Sequence, residues 1–543
     1  MRRRRFQPAA VRRPADAFDR RWWPGRLVDS LLDDAVRAVP ADVAVVDRER
    51  RVTYAEVARS VRATAAALHG LGVRRGDVVS YQLPNWLEAY VVHYATVALG
   101  AISNPIVPIY RERELGFILR QAASRVIVVP DAFRGCDHAA MLARLAPELP
   151  DLEHVLVVGD PPPGTTALAE VVAAAGDAAP PRVARDPGDP ALLLYTSGTE
   201  ADPKGVLHSH DTLVYETQSI VDLYRMDGDD RILMPSPVTH ITGVLYGLLM
   251  PAMLRTRVVL QDVWAPGAAL ELIERERCSV IIGATPFLHG LATAPELERR
   301  DVSSLRVFGC GGADVAPELI RSASARLGCR ASRLYGSSEC PTVSGTPIDD
   351  TDERHTTTDG RPIGGARARV VGEDGRELPA GTPGELVVRG PELFLGYLDP
   401  ALTERAFDAD GWFRTGDLAA MDAYGHLRIL GRLKDVIVRG GENISAKEVE
   451  DLLAEHPDVA EVAIVAMPDP VLVERACAFV VPRTGAAPTL ADLTGFLRER
   501  GLATQKLPER LELVDELVKT ASGKVQKFRL REEIARRLEE EGR

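Results

Sequence analysis

Residues 192–206 read LLLYTSGTEADPKGV. Leu192, Leu193, Leu194 and Tyr195 form an apolar run the length of a buried strand. Four small residues follow (Thr196, Ser197, Gly198 and Thr199), then an acidic patch, then Pro203, Lys204 and Gly205. Hydroxyls and backbone N–H groups on a loop that bends at glycine can wrap a polyphosphate, and a lysine neutralises its charge. This is not the Walker loop, whose pattern is GxxxxGK[ST]: here Pro203 precedes the lysine and Gly205 follows it. A Ser/Thr-rich surface turn has the same composition, so the choice between the two readings falls to the rest of the chain.

At 543 residues the chain is too long for one core and predicts two or more domains. Its 45% apolar and 27% charged residues are those of an ordinary globular protein. A net charge of −12 argues against a general nucleic-acid or anionic-membrane binder. Cys136, Cys278, Cys310, Cys329, Cys340 and Cys477 are scattered, without metal-ligand spacing, and are expected as reduced thiols in a cytoplasmic enzyme. The longest apolar run, 241–254, is too short to span a bilayer, so no transmembrane segment is expected. MRRRRF at the start has no apolar stretch behind it; residues 1–20 read as a disordered basic tail.

Residues 43–46 and 52–54 bracket a polar turn as in a hairpin, and 55–69 carry apolar positions at helical spacing. Apolar runs at 78–83, 102–107, 126–129 and 155–158 alternate with helix-length segments, the pattern of a parallel sheet with crossover helices. The Pro-, Gly- and Ala-rich stretch 160–189 reads as a surface connection. Beyond the loop the alternation resumes at 232–234, 258–260, 280–282 and 305–308. The predicted class is therefore α/β: a large N-terminal domain of two stacked βα sheet units plus a small β-rich unit at 363–390, then a small α+β C-terminal domain. In that last domain we expect helix 446–455, strands 461–466 and 476–482, helix 490–500, strand 510–514 and helix 527–541, with the boundary at 431–435. Ligands in open α/β sheets sit beyond the carboxyl ends of strands, where 196–199, 283–286, 309–314 and 335–339 fall.

Further motifs carry chemistry. In YGSSE, 335–339, a ring can stack on a base and a carboxylate can hold Mg²⁺ against phosphate oxygens. GWFRTGD, 411–417, and GRLKD, 431–435, offer an aspartate and an arginine that can bind two ribose hydroxyls. Lys524 stands on a Ser-Gly turn in KTASGKVQKF. Taken singly, each is compatible with a solvated surface charge or turn.

Together they are more specific. YTSGTEADPKG, GCGGAD, YGSSE, the GDL…GRLKD pair and the final SGK occur in one order over roughly residues 30–535, and the chain resembles the adenylate-forming superfamily of acyl-CoA synthetases, luciferases and peptide-synthetase adenylation domains. The resemblance implies that the C-terminal domain (436–543) is mobile and rotates about a hinge at 432–435 relative to an N-terminal domain (21–431) holding ATP and acid. It implies two steps: a carboxylate attacks the α-phosphate of MgATP to give acyl-AMP and pyrophosphate, and a thiol then takes the acyl group. On it, Thr196, Ser197, Gly198, Thr199 and Lys204 wrap the β/γ-phosphates, and Glu339 holds Mg²⁺. Gly312, Ala313, Tyr335, Gly336 and Ser338 frame the nucleotide, and Asp417 and Arg432 hold the ribose. Lys434 is the hinge residue, and Lys524 bridges acid and α-phosphate; Lys524, Thr199, Lys204 and Glu339 are the catalytic set.

The loop departs from the family at Glu200 and Ala201, where threonine and glycine are usual. A carboxylate beside a polyphosphate is unfavourable by about 1 kcal/mol or more unless a cation lies between them. The acid pocket is expected from His240, Thr242, Tyr246, Gly283, Ala284, Thr285, Gly311 and 341–343, beginning with Pro341. PVTHITG, GATPFL, FGCGGADV and RGGENIS look most like bacterial short- to medium-chain or alicyclic acyl-CoA ligases. Gly440 and Gly441 would let the pantetheine arm of CoA pass close to backbone, and no carrier domain follows, which favours free CoA. The alternatives are an aryl-acid ligase, or an adenylating enzyme that loads a separate carrier protein. A non-catalytic nucleotide scaffold would not need Lys204, Glu339, Asp417, Arg432 and Lys524 together. The expected partners are a carboxylic acid, ATP and CoA, without nucleic acid, and a homodimer is left open.

Overall fold

The run LLLY is apolar throughout because both faces of its strand are covered. In the computed structural model, which describes residues 20–176, 178–196, 203–312, 315–439, 442–520 and 524–541, Leu192 and Leu194 face one core cluster while Leu193 and Tyr195 face another. The same alternation holds in Val126–Pro130, where Val126 and Val128 point one way and Ile127 and Val129 the other. Strand Pro190–Thr196 lies inside an eight-stranded sheet. Strands Ile102–Pro105, Val78–Tyr81, Val126–Pro130 and His154–Val158 run parallel beside it.

A nine-stranded sheet holds the second series, with Ile232–Met234, Val280–Ala284, Val307–Gly311 and Arg330–Tyr335 parallel to one another. Helices Leu87–Ala98 and His210–Leu223 are buried on nearly every side and contribute to the core that both sheets share. The expected stacked α/β architecture is thus present. The early hairpin, Val43–Asp47 with Arg50–Thr53, joins the edge of the second sheet beside Val258–Leu260 rather than the strands that follow it in sequence.

The stretch 160–189 is not a plain surface connection. It contains strand Thr166–Ala167 and helix Leu168–Ala175. LAEVVAAA is rich in alanine, a strong helix former, and Leu168 is buried where this helix packs on Tyr54–Gly70. The β-rich unit extends further than expected, as a four-stranded antiparallel sheet of Arg367–Val371, Gly384–Arg389, Phe413–Met421 and Leu427–Arg432.

After the turn Leu433–Asp435 the chain forms a five-stranded sheet with helices Ala446–Leu453, Leu490–Glu499 and Lys527–Glu540. Strands Val459–Asp469 and Val473–Pro482 are longer than their apolar runs, because they pair as one hairpin out to Asp469 and Val473. All six cysteines are free thiols. No helix among the described residues is long and apolar enough to cross a membrane.

Candidate active site

The phosphate-loop motif connects two antiparallel strands. Pro190–Thr196 pairs with Lys204–Ser209, with Thr196 opposite Lys204, so the stretch between is a hairpin connection rather than a strand-to-helix turn. Ser197, Gly198, Thr199, Glu200 and Ala201 lie outside the described residues. The Lys204 ammonium is 5.4 Å from the centre of the Tyr397 ring, a cation–π contact. The Tyr397 hydroxyl donates to Glu339 Oε1 at 2.7 Å, and Ser337 Oγ donates to Oε2 at 2.9 Å. A lysine and a carboxylate from separate motifs therefore both contact one tyrosine.

Sequence reasoning missed Tyr397. It lies on strand Gly396–Tyr397, which adds to the sheet edge with Tyr397 opposite Val206. Its only sequence signal is an aromatic in FLGY ahead of Asp399–Pro400. The YGSSE loop is held from two further sides: His208 Nε2 lies 2.7 Å from the Ser338 carbonyl oxygen, and Phe394 N–H donates to the Glu339 carbonyl at 2.8 Å.

A polar chain also links the residues expected at the nucleotide. The Tyr335 hydroxyl donates to Asp417 Oδ2 at 2.5 Å, and Arg432 Nε pairs with Asp417 Oδ1 at 2.9 Å. Asp417 and Arg432 are directly opposite in adjacent strands, which explains how motifs fifteen positions apart share one site. Beneath them Arg333 and Asp359 form a buried ion pair, and Asp359 also accepts from Ile429 N–H at 2.8 Å. This pair ties the YGSSE strand to the GRLKD strand, and nothing in the local sequence around Asp359 signals it. Two glycines are demanded by close approach: a Cβ on Gly336 would lie 1.9 Å from the Pro341 carbonyl oxygen, and one on Gly311 would lie 2.6 Å from that of Leu334. Gly312 has φ +78°, a conformation suited to glycine. Ala313 lies outside the described residues.

The residues expected to line an acid pocket come from adjacent parallel strands and a distorted helix. Gly283 and Ala284 pair with Cys310 and Gly311 at the strand ends, with Thr285 opening the next helix. Tyr246 lies in the π-helical turn Val244–Leu249, a geometry often found at functional sites. Its hydroxyl is 2.7 Å from Thr342 Oγ1 and 3.1 Å from Glu216 Oε1. His240 Nδ1 accepts from Thr242 N–H at 3.4 Å. Burial, and after it the charge of Lys524, push the His240 imidazole down to about 4. Lys524, nearly three hundred residues away in sequence, therefore acts electrostatically on the predicted pocket. Its turn is closed by Thr520, whose N–H donates to the Lys524 carbonyl at 2.7 Å and whose hydroxyl accepts from Lys524 N–H at 3.1 Å.

Lys434 sits in the turn Leu433–Asp435, anchored at Asp435 by a 2.6 Å ion pair with Arg531. Gly440 and Gly441 lie outside the described residues. Glu339 is a hard oxygen donor, of the kind that Mg²⁺ shares with substrate phosphates.

Comparison with known proteins gives the class this fold and site define. Residues 32–398 match the family described as AMP-binding enzyme, and residues 448–524 match the AMP-binding enzyme C-terminal domain. The chain belongs to the AMP-binding enzyme family, within the adenylate-forming superfamily. It is 36% identical to the medium-chain fatty-acid–CoA ligase of Escherichia coli over 95% of this chain and 92% of the relative. It is likewise 36% identical to the salicyl-AMP ligase / salicyl-S-ArCP synthetase of Mycobacterium tuberculosis, over 96% of this chain and 93% of that one. ATP-bound MatB from Rhodopseudomonas palustris has a similar solved structure, with a TM-score of 0.84 and 30% identity across 94% of this chain and 99% of that one.

Proposed function

We propose that this protein is an ATP-dependent acid–CoA ligase that forms an acyl-AMP from a carboxylic acid and ATP, then transfers the acyl group to CoA. The reading rests chiefly on the meeting of Lys204, Tyr397 and Glu339, beside the linked Tyr335, Asp417 and Arg432. A carboxylate is a poor acceptor for a thiol because its oxygen leaves badly, whereas AMP leaves readily. In the first step Lys524 neutralises charge between the acid and the α-phosphate. Lys204 offsets charge on the β- and γ-phosphates, Tyr335 stacks on the base, and Asp417 with Arg432 holds the ribose. Such help comes from charges fixed before the reaction begins. His240, uncharged at neutral pH, offers the acid a neutral wall. Mg²⁺, held by Glu339, would supply charge neutralisation at the phosphates.

For the second step the C-terminal domain (436–543) turns about Lys434 relative to residues 21–431, withdraws Lys524, and brings Gly440 and Gly441 to the thiol. Similarity to the fatty-acid–CoA ligase supports CoA and a short- or medium-chain acid. Similarity to the salicyl-AMP ligase supports a second reading, an aryl acid loaded onto a carrier protein. The test is a carboxylic-acid panel with ATP, Mg²⁺ and CoA, scored by AMP release and product mass. AMP, pyrophosphate and an acyl-CoA are expected. ADP as the main product overturns the reading, and transfer only to a carrier protein selects the second one.

A further inference from the structure

Glu216 lies against the proposed acid pocket and has no part in the mechanism above. It projects from the middle of helix His210–Leu223 and is fully shielded from solvent. Its Oε1 accepts from the Tyr246 hydroxyl at 3.1 Å, and that hydroxyl shares a 2.7 Å hydrogen bond with Thr342. Its Oε2 has no hydrogen-bond partner among the described residues. A central helix, the π-helical turn and the segment after YGSSE thus meet at one polar cluster, and two of its three members belong to the predicted pocket.

Burial pushes the Glu216 carboxyl up to about 8; the Thr342 hydroxyl opposes this and the nearby Glu392 carboxylate adds to it. At neutral pH the group is mostly protonated, so it holds an O–H donor as well as acceptor oxygens. A buried polar atom without a partner is costly, because it has given up its hydrogen bonds to water for nothing. A hydrocarbon end packed against this cluster leaves that cost in place, whereas an oxygen function on the acid removes it. A hydroxyl suits the cluster in either protonation state, because it both donates and accepts.

We propose that Glu216, with Tyr246 and Thr342, is the specificity-determining polar end of the acid pocket, favouring a carboxylic acid with a hydroxyl or keto oxygen remote from its carboxylate over the matching hydrocarbon acid. The assignment rests on the acid–CoA ligase reading. Sites built to hydrogen-bond a substrate group discriminate strongly against analogues that lack it, because their own polar atoms are then left unpaired.

The experiment measures AMP release by the full chain with ATP, Mg²⁺ and CoA on matched acids: hexanoate against its terminally hydroxylated analogue, and cyclohexanecarboxylate against the analogue hydroxylated at the far ring carbon. The ratio of kcat/KM is expected to favour the hydroxylated acid about 10-fold or more. Glu216→Leu should reverse that preference, while Glu216→Gln, which keeps a donor and an acceptor, should retain most of it. Thermal melts establish that the variants fold. If Glu216→Leu does not, Tyr246→Phe and Thr342→Val carry the test and should narrow the ratio in the same direction. A wild-type preference for the plain acids, or a ratio that no variant moves, overturns the assignment and leaves the ligase reading standing. Failure of every acid to release AMP overturns that reading and the assignment with it.

Discussion

Lys204 stands 5.4 Å from the centre of the Tyr397 ring, and the hydroxyl of the same ring donates to Glu339. One side chain thus orients both a cation and an anion at the proposed phosphate site. Tyr397→Phe keeps the ring and removes the donor. A hydrogen bond to a charged group contributes about 1.5–3 kcal/mol, so adenylation at limiting Mg²⁺ should fall about 10- to 100-fold. Tyr397→Leu should fall further, since the cation–π contact goes as well. Pyrophosphate exchange against Mg²⁺ concentration measures both, and equal activity in all three proteins would show that the tyrosine only packs.

Lys524→Ala should lower adenylation by a factor of about 10² to 10³, the usual loss when one transition-state donor is removed. Conversion of supplied acyl-AMP and CoA to thioester should survive. The lysine's charge also lowers the His240 imidazole, so NMR titration should show that histidine titrating at higher pH in the variant. Equal damage to both half-reactions would sink the two-pose mechanism, and an unmoved His240 would remove the electrostatic link.

Stability should fall as pH drops below the ordinary histidine range. Burial pushes His93 down to about 3, and His138, His210 and His240 to about 4, from the ordinary histidine value of 6.5. Between those limits the unfolded chain binds protons that the folded chain does not, so stability rises with pH across the window and is lost as pH falls through it. Urea midpoints from pH 7 to pH 4 check this, and His210→Gln should flatten the slope. A midpoint independent of pH would contradict the buried neutral histidines.

Gly336→Ala should destabilise the YGSSE loop, because its Cβ would lie 1.9 Å from the Pro341 carbonyl oxygen and backbone must move to admit it. Overpacking of this kind costs about 1–3 kcal/mol or more. Thermal melts and ATP binding should fall together. An unchanged melting temperature would mean that the turn opens without cost.

The sequence by itself determined the class of fold, the order of the chemical motifs and the family. Residues 192–195 are apolar on both faces of their strand, which requires covering layers above and below, and a periodicity of two or of helical spacing survives in any local window. GRLKD and YGSSE were legible only as members of an ordered set of motifs, since each taken singly is compatible with a solvated surface turn. Partners distant along the chain were not legible. The pairing of Val43–Asp47 with Val258–Leu260, the meeting of Arg333 with Asp359, and the convergence of Glu216, Tyr246 and Thr342 depend on sheet order and on packing between layers. Tyr397 shows the reason most plainly. An aromatic before a turn has many uses, and only the sheet edge that sets it beside Val206 makes it the neighbour of both Lys204 and Glu339.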